Sequence, residues 1–142
     1  MSTEQKNTEQ KNTEQKNDVA KIKYWQSMAF QDAEAMMTWL SAIGFVEHST
    51  YREGGTVVHA EWLWPAGGGL MFGQVREDSS IKSTGGSSAY LIDDDPDSVF
   101  DKAVAAGATV DRPMVDQDYG GRGGTVNDPE GNSWSFGSYQ PS

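Results

Sequence analysis

Apolar residues recur along this chain in two rhythms, and the rhythms alternate in the same order twice. Ala33, Met36, Met37 and Leu40 follow the i, i+3, i+4, i+7 spacing of one face of a helix. Asp32 suits the N-cap of that helix and Gly44 suits its stop. A second such segment opens at Asp95, with Pro96 in the first turn, Val99, Phe100, Ala103 and Val104 as the apolar stripe, and Gly107 as the stop. Both the starts and the stops lie 63 positions apart. Extended runs precede each helix, at 22–30 and 87–92. Others follow at 45–52, 56–64 and 69–75 in the first half, and at 108–110, 123–127 and 132–138 in the second. A turn at Asp128-Pro129-Glu130-Gly131 joins the last two. Each half therefore reads β-α-β-β-β, over about 20–76 and 86–139. This predicts an α+β fold of two tandem βαβββ modules. A half of this size buries too little core to stand alone. The modules are expected to set their sheets side by side, each helix on one face, with the other faces curving around a shared cleft.

Residues 3–17 repeat Thr-Glu-Gln-Lys-Asn three times, without an aliphatic or aromatic side chain. Such a tract cannot offset its chain entropy by burial, so residues 1–18 are expected to be a disordered tail before a domain at 19–140. Its Glu and Lys cancel, so the net charge of −10 belongs to the rest of the chain. That excess of acid argues against a nucleic-acid partner, which needs a Lys/Arg footprint. The absence of Cys excludes disulfides, thiol nucleophiles and Cys-type zinc sites, and His48 and His59 alone cannot make a three-His site. No apolar run is long enough for a membrane helix and no signal-peptide pattern is read, so no membrane partner and a cytoplasmic location are the expectation.

The two modules, and above all the segment from Tyr119-Gly120-Gly121-Arg122 through Asn127-Asp128-Pro129-Glu130-Gly131-Asn132 to Trp134-Ser135-Phe136-Gly137, resemble the vicinal oxygen chelate superfamily of glyoxalases, bleomycin-resistance proteins and extradiol dioxygenases. His59-Ala60-Glu61 followed by Gly67-Gly68-Gly69-Leu70-Met71-Phe72-Gly73 is similar to one glyoxalase-like branch. The resemblance implies a homodimer with clefts near its interface. It also implies four metal ligands, on the first and last strand of each module. Those positions fall on Trp25 (with Tyr24 its neighbour), Met71, Ser88 and Ser135, none of which is a His or a carboxylate. A divalent ion of this kind prefers imidazole and hard oxygen donors. The nearer relative is therefore a metal-free, ligand-sequestering branch, with no cofactor expected.

Strand alternation places Trp25, Ser27 and Ala29 on the cleft side with Met71, Ser88 and Tyr90, and Met28, Phe30, Leu70, Phe72, Trp134 and Phe136 under the helices. Along 56–64, His59 and Glu61 share one face and Val58, Ala60, Trp62 and Trp64 the other. His59 and Glu61 are the candidate acid/base pair, about 7 Å apart at strand spacing. They read first as ordinary polar surface, next as ligand contacts, and last as catalytic groups. Arg122 in its Gly-rich loop is either a salt-bridge partner of Asp116 or Asp118 or a clamp for an anionic ligand. Tyr119 beside it either packs or binds. Trp25, Met71, Tyr90 and Tyr119 suit an aromatic or hydrophobic small molecule. With Glu61 and the acidic field, a cationic ligand is favoured. Two functions follow: a small-molecule-binding protein, such as an antibiotic-resistance protein, or a lyase, isomerase or dioxygenase-related enzyme that uses His59 and Glu61 or a non-standard metal site.

Overall fold

The computed structural model describes residues 19–78 and 84–142. The repeat tract expected to be disordered lies outside the described residues. Ten elements follow one another as β1 (Trp25–Phe30), α1 (Ala33–Ile43), β2 (Val46–Glu53), β3 (Thr56–Leu63), β4 (Gly69–Gln74), β5 (Ser88–Ile92), α2 (Pro96–Ala105), β6 (Thr109–Asp116), β7 (Arg122–Asn127) and β8 (Ser133–Gly137). The expected β-α-β-β-β order is present twice. Each unit forms a four-stranded mixed sheet, ordered β1-β4-β3-β2 and β5-β8-β7-β6, with only the first-to-last pairs β1·β4 and β5·β8 parallel.

Local chemistry fixes the helices. Asp32 accepts a hydrogen bond from Ala35 N at 3.1 Å and Asp95 one from Ser98 N at 3.3 Å, so each carboxylate satisfies a donor left open at a helix start. Gly44 ends α1 at φ 119°, a conformation that disfavours any side chain.

One apolar cluster spans both units. Met28, Phe30, Ala60, Trp62, Leu70 and Phe72 fill the helix side of the first sheet, and Val126, Trp134 and Phe136 that of the second. The buried stripe of α1 is wider than the sequence pattern implies, because Trp39 turns away from its own sheet. Its ring meets Trp134 at 5.5 Å, and its Nε1 donates to Ala103 O at 3.1 Å. Val104, placed by periodicity on the inner face of α2, is exposed instead.

Strand irregularities make two further corrections. Tyr51 pairs with His59 and the next residue, Arg52, pairs with Val57, so Val58 is an extra residue in β3. This bulge flips the alternation: Val57 is buried and Val58 leaves the helix side. Gly73 accommodates it, since a Cβ there would stand 2.7 Å from Val58 O. Strand β6 runs six residues past the expected end at Val110. Pro113 argues against a strand interior, but β6 is a sheet edge with irregular pairing on both sides of Arg112, where a missing N–H is tolerated.

Candidate functional site

The helix-free faces of the two sheets carry the candidate residues, and within one chain each face lines its own hollow. On the first, Ser27, Val58, His59, Met71, Gly73 and Arg76 surround about 210 Å³. Ser27, Met71 and Glu61 are cross-strand neighbours in one row. His59 and Glu61 lie closer than strand spacing implies: their side chains lean together, with Nε2 3.0 Å from Glu61 Oε2. The Tyr51 ring stacks on the imidazole, centroids 6.3 Å apart and planes 26° from parallel. Imidazole is thus oriented from one end and flanked on one side, while both partners stay half-exposed. Trp25 does not line this hollow. Its ring lies across Gly69, where there is no room for a Cβ.

On the second face, Tyr90, Tyr119, Arg122, Thr125, Ser135 and Tyr139 border about 250 Å³. Tyr90 donates its hydroxyl to Tyr139 O at 2.8 Å and its ring covers Gly137, again leaving no space for a Cβ. Burial raises the Tyr90 pKa above the usual tyrosine value, with the Tyr119 hydroxyl adding to it and the Tyr139 carbonyl opposing it. Tyr119 and Tyr139 meet edge to face at 5.0 Å. Thr125 and Ser135 share a hydroxyl–hydroxyl bond of 2.8 Å.

Arg122 is engaged on two sides. It donates to both oxygens of Asp97, in the first turn of α2, at 2.8 and 3.1 Å, and to Asp116 at 3.2 Å. Hydrogen bonds donated to Asp97 and then to Asp116 hold its pKa above the usual arginine value, and the bond to Asp97 lowers the pKa of that carboxyl. Asp116 was one of the two expected partners. Asp97, the bidentate one, lies far away in sequence and was not among them, and Asp118 forms no ion pair with Arg122.

The four positions at which the resemblance implies metal ligands hold an indole, a thioether and two hydroxyls: Trp25, Met71, Ser88 and Ser135. Among the described residues, no three of His, Cys, Asp and Glu come together. This donor set does not fit a hard divalent ion.

Residues 23–136 match the model of the Glyoxalase/Bleomycin resistance protein/Dioxygenase superfamily. The chain belongs to this superfamily. Solved structures agree. TioX from Micromonospora sp. ML1 is 28% identical, with a TM-score of 0.68 over 82% of this chain and 97% of that one. A glyoxalase/bleomycin resistance protein from Catenulispora acidiphila is 23% identical, with a TM-score of 0.60 over 84% and 99%. Another, from Streptomyces sp. CB03234, is 19% identical, with a TM-score of 0.61 over 79% and 96%. No curated protein matches the sequence. Within the superfamily fold, Tyr51, Arg112, Gly137 and Tyr139 belong to the open faces although no local pattern singles them out. Cross-strand register is the signal that finds the first three, and the bond from the Tyr90 hydroxyl marks Tyr139. No helix among the described residues is long and apolar enough to cross a membrane.

Proposed function

We propose that this member of the superfamily binds a small aromatic or hydrophobic molecule on the open faces of its sheets, without a metal ion. The observation that carries this reading is the chemistry of the four strand positions named above. Of these, Met71 borders the first hollow with an apolar thioether and Ser135 the second with a neutral hydroxyl, both suited to an organic ligand. Glu61 on the first face favours a cationic group there, as antibiotic sequestration would require of a basic drug. The two hollows share no residue within one chain, and the outer strands β2 and β6 expose Val46, Tyr51, Val110 and Val115. A homodimer that sets the first face of one copy against the second face of the other would form the shared cleft and cover these side chains.

The oriented His59 supports a second reading, a lyase or isomerase in which imidazole takes a proton from a bound substrate and Glu61 fixes the tautomer. Thermal shift separates the two, using planar aromatic compounds and divalent cations on the wild type and His59→Ala. For a binding protein, an aromatic compound raises Tm without added metal and His59→Ala keeps most of that rise. Stoichiometric metal that is lost in His59→Ala overturns the metal-free reading. Turnover abolished in that variant with binding intact moves the assignment to an enzyme.

A further inference from the structure

The two open faces carry different charged groups, and register shows where each stands. Across the first sheet one row runs Ser27–Met71–Glu61–Ser49. The equivalent row across the second runs Tyr90–Ser135–Thr125–Arg112. Glu61 of the first row has Thr125 as its counterpart, and Arg112 of the second stands where the first has Ser49. Side chains paired across strands leave the same face, so this row presents a phenol ring at one end, two bonded hydroxyls in the middle and Arg112 at the other.

Arg122 borders the same hollow, but two carboxylates already occupy its donors. Arg112 makes no ion pair among the described residues, and it borders the same hollow from the edge strand β6. The net charge of −10 does not decide the sign at this spot. Salt screens exposed charges beyond about 10 Å, whereas Arg112 would touch the ligand directly.

We infer that the second face is a subsite for an aromatic acid, with the ring against Tyr90, the Thr125–Ser135 hydroxyls beneath it and the acidic oxygen held by Arg112. The inference rests on the proposed binding function and assigns it a ligand class. Guanidinium suits a carboxylate because its planar fork matches two oxygens, and hydrogen bonds to charged groups are about twice as strong as neutral ones. Three neighbouring tyrosine rings supply rigid apolar area at low entropic cost.

Calorimetric titration of the full chain at about 0.1 M salt tests this with a matched pair of probes, 2-naphthoate and (2-naphthylmethyl)trimethylammonium. Naphthoate is expected to bind through Arg112, and the cation, drawn to Glu61 on the other face, to bind independently of it. Arg112→Gln is expected to weaken naphthoate at least about tenfold, the scale of one charge-assisted bond. Arg112→Lys recovers part of the loss, and Arg52→Gln, whose ion pair with Glu34 lies elsewhere, changes nothing. Naphthoate affinity unchanged in Arg112→Gln, or cation affinity that falls as far as naphthoate affinity does, overturns the inference while leaving the binding function standing. Failure of both probes to bind the wild type removes the binding function itself, and the inference with it.

Discussion

The turns that join the last two strands of each unit occupy equivalent places, and their chemistries are opposite. In the second unit the Asp128 carboxylate is buried and accepts four hydrogen bonds, from Glu130 N, Asn132 N, Asn132 Nδ2 and Trp134 Nε1, at 2.8 to 3.0 Å. In the first unit Trp64 stands where Asp128 does, packed on Phe45 at 5.2 Å, and the turn beyond it is Pro65-Ala66-Gly67-Gly68. One turn is held by an ion with its donors satisfied, the other by an indole. Both reach across to the opposite unit. Trp64 Nε1 donates to Ile92 O at 3.0 Å, at the end of β5. Glu130 accepts from Gln31 N at 2.6 Å and Asp32 N at 2.8 Å, closing the start of α1 with a carboxylate where the helix dipole favours one. The lesson is that the repeat prescribes the path of the chain and leaves the chemistry of each turn free, provided each buried polar group finds its partner.

Substitutions sharpen that contrast. The largest effect is expected for Asp128→Ala, which strands the buried donors of Asn132 and Trp134 at about 1–3 kcal/mol per group, or roughly 4 kcal/mol in all. Chemical denaturation measures it, and a loss below about 1 kcal/mol would mean that the turn does not need its ion. Trp64→Phe removes the bond to Ile92 and the part of the indole packed against Gly44, so about 2 kcal/mol is expected in the same experiment. Glu130→Gln is expected to cost up to about 1 kcal/mol and to speed amide exchange at Gln31 and Asp32 more than at the start of α2. Equal acceleration at both helices would break the link between this turn and the first unit. The smallest effect concerns pH. Asp97 has a lowered pKa in the folded chain, so its pairing with Arg122 stabilises the fold above the ordinary Asp pKa of about 4 and fades as pH falls through the lower folded value. Asp97→Asn is expected to flatten the acid side of the stability profile slightly, the pair being half-exposed.

Most of the fold was legible in the sequence because its signals are local. Asp32, Gly44, Asp95 and Gly107 mark helix ends, and alternation sorted Met28, Phe30, Trp134 and Phe136 correctly onto the inner faces. What escaped depends on register or on partners distant in sequence. The bulge at Val58 has no composition signature, and its companion Gly73 shows its purpose only against the backbone of the neighbouring strand. Pro113 misleads because whether a strand lies at an edge is a property of the sheet. Trp39 belongs to the seam between units, which no single helix pattern contains. For the site, His59 and Glu61 were visible as a pair, yet their direct bond arises from side-chain lean rather than backbone spacing. Tyr51 and Arg112 join the open faces only through pairing across strands, and Tyr139 through its contacts with Tyr90 and Tyr119.

The central claim, an aromatic ligand held without metal, is tested most directly by titrating 2-naphthol into chelator-treated chain and repeating the titration with added manganese or zinc. Saturable binding of the same affinity in both is the expected result. Binding that appears only when the metal is present would contradict it.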